Sequence, residues 1–244
     1  MINSVRNTVL AVLNKQNFGY VSPMDFNLYS KQAQLDIFED VFYRYNRWTQ
    51  MQNARQSGSD YADVLKNITE VIDTFSESVS LSEVATNTPV SFDVPSDYYM
   101  ITNLYSNSKI IERIPNGRIE MLLASNLTAP TLSYPGYIQR NAIDDSGNTV
   151  NPFIVYPDSI EAIRCDYIRK PKDPKWTYYT TTPFPGGEPL FNPDADDYQD
   201  FELPKAYEPE IVNRILQYAG VSIRELEVYN YAAGEENINT QKEG

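Results

Sequence analysis

The chain has 244 residues, 41% of them hydrophobic, and carries 33 acidic against 20 basic residues for a net charge of −13. That length is enough for one large domain or two modest ones with a real core. The charge argues against a positive nucleic-acid footprint and against coating an anionic membrane, and the absence of histidine removes the commonest general base and the commonest metal ligand.

The first residues, MINSVRNTVLAVLNKQNFG, lack the apolar run and small-residue cleavage site of a signal peptide. Val5, Val9, Val12 and Leu13 fall at helical spacing, which predicts a helix over 3–16 stopped at Asn17-Phe18-Gly19. Ser22-Pro23-Met24-Asp25 is a helix start: a cap, a proline at the first helical position and an acid in the first turn. The helix it opens runs over 23–56 with two apolar stripes. One is Phe26, Tyr29, Ala33, Ile37, Val41, Tyr45 and Trp48; the other is Leu28, Leu35, Phe38 and Phe42. A helix apolar on two sides has more than one neighbour, either in its own bundle or in another subunit. A third helix is predicted from Tyr61 to Phe75, with clean i, i+3, i+4 and i+7 spacing.

From Leu81 onward prolines and strand patterns replace helical ones. Strands are predicted at 90–94, 98–105 and 109–114, a short helix at 118–125, and a hairpin over 136–157 around the turn Asp144-Asp145-Ser146-Gly147-Asn148. The run 160–168 alternates, with Ile163, Cys165 and Tyr167 on one face, and is expected to pair next to that hairpin. The lone Cys165 reads as a small buried apolar residue, since no histidine is present to activate it. Pro171, Pro174 and Trp176 then form a stiff exit from the sheet.

Residues 177–204 show little apolar periodicity and read as a long loop, functional or ordered by a partner. It holds Asp194, Asp196, Asp197 and Asp200, but the glycine and closing glutamate of a calcium loop are missing, so a solvated acidic loop is the expectation. A helix is predicted from Glu208-Pro209, ended by Gly220, and a last one from Ser222 through Tyr231.

The expected fold is α+β: a helical bundle formed by the N- and C-terminal helices with an inserted antiparallel β domain. The bundle takes residues 1–88 plus 201–244. The β-rich insertion takes 89–200, with the long acidic loop at 177–200. No catalytic constellation, metal site or cofactor motif is found, and the chain is read as a non-enzyme.

Three stretches in this order resemble a known class: SPMDFNLYSKQAQLDIFEDVFYRYNRW at 22–48, IVYPDSIEAIRCDYIRKPKDPKW at 154–176 and YEPEIVNRILQYAGVSIR at 207–224. Together they resemble the head-to-tail connector, or ring, proteins stacked beneath the portal of crAss-like and related short-tailed bacteriophages. The resemblance implies a virion protein assembled in the bacterial host cytoplasm as a closed ring of about twelve copies. It implies contacts to the portal and to adjacent tail or ring proteins, and a channel that DNA passes without specific binding. No membrane contact is expected. Candidate subunit or portal contacts are Phe38, Phe42, Tyr45 and Trp48 on the long helix, Arg169, Lys170 and Trp176 at the strand exit, and Leu226 and Tyr229 on the last predicted helix.

Two competing functions are weighed. Trp176, Tyr178 and Tyr179 could stack on sugar rings in a carbohydrate- or receptor-binding tail protein. A hydrolase using paired carboxylates has acids in plenty, but nothing in the sequence holds a pair at the separation such chemistry needs.

Overall fold

The computed structural model describes residues 1–15, 21–54, 62–81, 83–85, 90–143, 149–180 and 189–223. The chain divides into two units, Met1–Ile72 with Pro171–Gly244, and Asp73–Lys170 between them.

The first unit holds α1 (Ile2–Lys15), α2 (Pro23–Ala54), all but the last residue of α3 (Ala62–Asp73), and α5 (Glu208–Ile223); α4 belongs to the second unit. At 32 residues, α2 is about 48 Å long. Its start is built as the sequence predicts: the Ser22 hydroxyl accepts the Asp25 N–H at 3.1 Å and donates to the Asp25 carboxylate at 2.6 Å. Helix α5 packs on both α1 and α2. Val5, Val9 and Leu13 of α1, Phe26, Ile37 and Val41 of α2, and Ile211, Ile215 and Ala219 of α5 are buried. A polar ladder runs beside this core. Arg44 meets Glu210 at 2.8 Å, Arg214 pairs with Asp40, and the Tyr218 hydroxyl donates to Asp36 while its ring stacks on Tyr29. Burial first, then the hydrogen bond to Asp36, pushes the Tyr218 hydroxyl up to about 12. Gly220 does not end α5, which continues to Ile223. The helix stop at 17–19 and the final helix with Leu226 and Tyr229 lie outside the described residues.

Residues 171–207 lie along α2, held by amide side chains one heptad apart. Asn27 brackets the Trp176 backbone, accepting its N–H at 2.8 Å and donating to its carbonyl at 3.1 Å. Gln34 donates to the Lys172 carbonyl at 2.8 Å and accepts the Glu202 N–H at 3.0 Å. Positions i and i+7 share a helix face, so the pair acts like two rungs of a β ladder. Asp200 closes the path onto α1. One carboxylate oxygen accepts the Ile2 N–H at 2.7 Å and the other meets the Met1 ammonium at 2.8 Å. The loop expected over 177–204 is not structureless, for it contains a short antiparallel pair, and a 3-10 turn at Lys205–Tyr207 follows it.

The second unit is built on one sheet. Its strands in chain order are β1 (Ser76–Leu81), β2 (Glu83–Ala85), β3 (Ser91–Phe92), β4 (Tyr98–Ser106), β5 (Lys109–Arg113), β6 (Gly136–Gln139), β9 (Phe153–Tyr156) and β10 (Ile163–Arg169), interrupted by α4 (Ile119–Leu123) and by the separate pair β7 (Ala142–Ile143) and β8 (Thr149–Val150). In space the order is β1-β10-β4-β5-β6-β9-β3-β2. The hairpin of the first unit's arm is β11 (Tyr178–Thr180) with β12 (Pro189–Phe191).

This architecture overturns the expectation of a helical bundle carrying an inserted antiparallel β domain. The sheet is large and mixed: β5 and β6 run parallel, and β1 and β2 precede the first strand expected from the sequence, at 90–94. The 136–157 hairpin is present, as β6 against β9, but β10 does not pair with it. It lies between β1 and β4. Alternation within β10 buries Ile163, Cys165 and Tyr167 among Phe92, Leu104, Ile111, Phe153 and Val155. Burial pushes the Cys165 thiol up to about 12, so it sits in the core as an inert apolar residue.

Candidate interaction surface

A parallel pair needs a crossover, and the chain between β5 and β6 supplies one. Its base is a small isoleucine core: Ile119 of α4 packs with Ile138 of β6 and Ile154 of β9, with Ile114 and Tyr156 alongside. Backbone bonds tie it down at both ends. The Glu112 N–H donates to the Pro135 carbonyl at 3.0 Å and the Ile114 N–H to the Tyr137 carbonyl at 2.8 Å. Side chains add to this: the Thr128 hydroxyl donates to the Leu122 carbonyl at 3.0 Å, and the Lys109 ammonium to the Leu132 carbonyl at 3.1 Å. Thr131 and Tyr134 exchange two backbone bonds.

On this fastened backbone the large apolar side chains point outward. Leu127 is 96% exposed, Tyr134 84% and Met121 68%, with Leu123, Leu132 and Ile110 beside them in the sequence. Ile110 follows from strand geometry. Ile111 faces the core at 2% exposure, so its neighbour must face out at 60%. Burial of one such side chain is worth roughly 1.5–3 kcal/mol, so each of the six left in water gains by being covered. The crossover itself, residues 114–135, carries one basic group, Arg118, and one acidic group, Glu120, within a chain of −13.

The arm of the first unit presents a second surface, rich in acids. Tyr178, Tyr179 and Leu190 on the β11–β12 hairpin are exposed, and Asp194 and Asp196 follow in the open. From 178 to 200 the sequence has five acids and no base. Asp197 is tied to Lys175, whose hydrogen bond holds its carboxyl below the usual range. Beneath the hairpin lies Trp176, stacked on Tyr178 at 5.6 Å and on Phe191 at 6.0 Å.

The residues expected at contacts are placed as follows. Phe38 is buried and makes an edge-to-face pair with half-buried Phe42 at 5.0 Å. Tyr45 and Trp48 are half-buried farther along α2. Of the second α2 stripe, Leu28 is the member left largely in water, 63% exposed. Trp176 is 1% exposed and enclosed by its own chain, so it is a core residue and cannot stack on a sugar. Arg169 pairs with Glu77 of β1 at 2.7 Å and lies over Phe75, while Lys170 is exposed. The exposure of Met121, Leu127, Leu132 and Tyr134 is not among the sequence expectations: Met121 lies in the short helix predicted at 118–125, and the other three are isolated apolar residues among prolines and serines, outside any periodic element.

Among the described residues no group of three or more Asp, Glu or Cys is placed to hold a metal ion, and no helix is long and apolar enough to cross a membrane. Fold and surfaces together define a protein of two units, one of helices and one of mixed sheet, with large apolar side chains exposed on the crossover and on the β11–β12 pair among the described residues. The chain matches no protein-family model and no curated protein sequence.

Proposed function

We propose that this chain is a structural subunit of a bacteriophage head-to-tail connector. It forms a ring of about twelve copies beneath the portal, joined by contacts that repeat around a closed axis. The reading rests first on the sequence resemblance at 22–48, 154–176 and 207–224. The structural observation that supports it is the crossover platform: Met121, Leu127 and Tyr134 held open to water on a frame anchored by Ile119, Ile138 and Ile154. Ordered apolar area of this kind is what an assembly contact requires, because little entropy is lost when it is covered. The net charge of −13 suits a wall past which DNA slides without adhering.

The test is composition of the particle. Mass spectrometry of purified virions, with a focused reconstruction of the neck, is expected to find this chain as a ring next to the portal or one level below it. Its absence from particles, together with failure of the purified protein to bind portal complexes, would reject the proposal.

A further inference from the structure

We infer that Asn116 is a site of spontaneous deamidation, and that its conversion loosens the start of the crossover. The inference goes beyond the connector reading and does not depend on it. Asn116-Gly117 is the one Asn-Gly pair in the chain, and both residues are exposed. They are the central residues of a β-turn closed by the Arg118 N–H on the Pro115 carbonyl at 2.9 Å. The nucleophile the reaction needs is the Gly117 backbone nitrogen. It takes no part in that turn bond, and glycine has no side chain to shield it. The Asn116 amide is restrained by a hydrogen bond to the Gln139 carbonyl, but that bond is exposed and so a modest restraint.

In the first step the Gly117 nitrogen bonds to Cγ of Asn116. The Cγ–Nδ2 bond breaks, and ammonia leaves with the proton that the Gly117 nitrogen gives up. The succinimide that remains is opened by water at one of its two carbonyls. Opening at Cγ gives aspartate, and opening at the backbone carbonyl gives isoaspartate. The balance is water taken up and ammonia released, with no oxidant or reductant.

The consequence follows from what Asn116 holds. Its amide nitrogen donates to the Gln139 carbonyl at 2.9 Å and ties the turn to the end of β6. A carboxylate only accepts, so aspartate loses this bond and sets a negative charge against the carbonyl oxygen. Isoaspartate also lengthens the backbone inside the turn. Ile114 and Ile119, on either side of the turn, pack in the same isoleucine core, so the added length strains both anchors. Asn107-Ser108 is the natural comparison. It too is exposed, but Ser108 carries a Cβ beside the attacking nitrogen, and both residues sit at positive φ.

The test holds the folded protein at mildly alkaline pH and maps digests over time by tandem mass spectrometry, with enzymatic methylation to count isoaspartate. Asn116 is expected to convert before Asn107, with isoaspartate in excess over aspartate. Gly117→Ala is expected to slow the conversion roughly tenfold, since a Cβ narrows the backbone angles from which the nitrogen can attack. The fold accepts that change, because a Cβ at Gly117 would meet nothing within 4 Å and its φ lies outside the left-handed region. Asn116→Asp, made directly, is expected to lower the melting temperature by about 2–4 °C through the lost hydrogen bond. Circular dichroism checks that both variants fold. An Asn116 that stays intact in the folded protein while the same sequence converts as a free peptide overturns the inference. So does conversion of Asn107 first, or a Gly117→Ala protein that deamidates at the wild-type rate. An Asn116→Asp protein that melts with the wild type overturns the loosening. None of these outcomes bears on portal binding or virion composition, which decide the connector proposal separately.

Discussion

The guanidinium carbon of Arg6 lies 3.8 Å from the centre of the Trp176 ring. The two residues are far apart in sequence, and their contact pins the arm of residues 171–207 to α1. The Trp176 indole N–H also donates to Asn3 at 3.1 Å, and the residue's backbone is held on both sides by Asn27. Tryptophan is suited to this place because one side chain offers a large apolar face, a stacking surface for the cation and a single donor. Trp176→Ala is expected to cost about 3–5 kcal/mol through the cavity it leaves. Arg6→Met keeps the apolar stem and should cost about 1–2 kcal/mol, the worth of a desolvated cation–π contact. Urea denaturation followed by far-ultraviolet circular dichroism measures both. A Trp176→Ala loss smaller than that of Arg6→Met would mean the arm is held chiefly by Asn27 and Gln34.

Asp200 makes the stability of the first unit depend on acid. Burial alone would raise its pKa, but hydrogen bonds from the Met1 ammonium, Ile2 N–H and Phe201 N–H outweigh it, and the net shift is downward. A carboxyl with a folded pKa below its unfolded one stabilises fully above the unfolded value of about 3.9. The contribution is lost as pH falls through the lower folded value. Asp200→Asn is therefore expected to flatten this part of the acid limb of stability against pH. Asp200→Ala should cost about 1 kcal/mol at neutral pH, as loss of a helix cap does. Denaturation midpoints taken between pH 7 and pH 3 check the point, and an unchanged slope for Asp200→Asn would contradict it.

How much of this was visible in the residues differs by element. The period of Val5, Val9 and Leu13, the cap at Ser22 and the spacing in α3 are local signals, and those helices fall within a residue or two of expectation. The continuation of α5 through Gly220 was not legible. A glycine costs a helix interior only about 1 kcal/mol, and here it is buried beside Ala219 in a packed face that outweighs that cost. Strand β1, SESVSL, is exposed at nearly every position, and its alternation is confined to Val79 and Leu81 among serines, too short a run to read as a strand. The parallel pairing of β5 with β6 depends on contacts distant in sequence, so the crossover between them leaves no local signal. Nothing local distinguishes an apolar residue left in water, as Leu127 and Tyr134 are, from one covered by its own chain.

Arg169 illustrates the same ambiguity, and a charge exchange resolves it. Its Nε lies 2.7 Å from Glu77, and the Tyr167 hydroxyl bonds to Asp97 at 3.1 Å beside them. Burial, reinforced by the Asp97 hydrogen bond, pushes that hydroxyl up to about 12. Arg169→Glu adds an acid to this group and is expected to lower the melting temperature. The exposure of Glu77 limits the pair itself to under about 1 kcal/mol. Combining Arg169→Glu with Glu77→Arg should recover most of the loss. If Arg169→Glu instead leaves melting unchanged while weakening association, Arg169 acts between copies rather than within one.

The tight turn joining β4 to β5 offers a stabilising change close to the platform. Ser106 pairs with Lys109, leaving Asn107 and Ser108 as a two-residue turn with φ of 46° and 67°. Both positive values match the primed turns whose twist suits a hairpin, and such turns favour asparagine followed by glycine. Asparagine is present, but serine stands where glycine is preferred, and its Cβ crowds the backbone at about 1–2 kcal/mol in the left-handed region. Ser108→Gly removes that strain, offset in part by the freer unfolded chain, for an expected net gain of about 0.5–1 kcal/mol. Ser108→Val should destabilise by more than that, because a β-branched residue fits this region worst. Differential scanning calorimetry reads both. Neither change touches Leu127 or Arg118, so association should follow the wild type. A glycine variant that melts lower than wild type would show that the turn does not hold these angles.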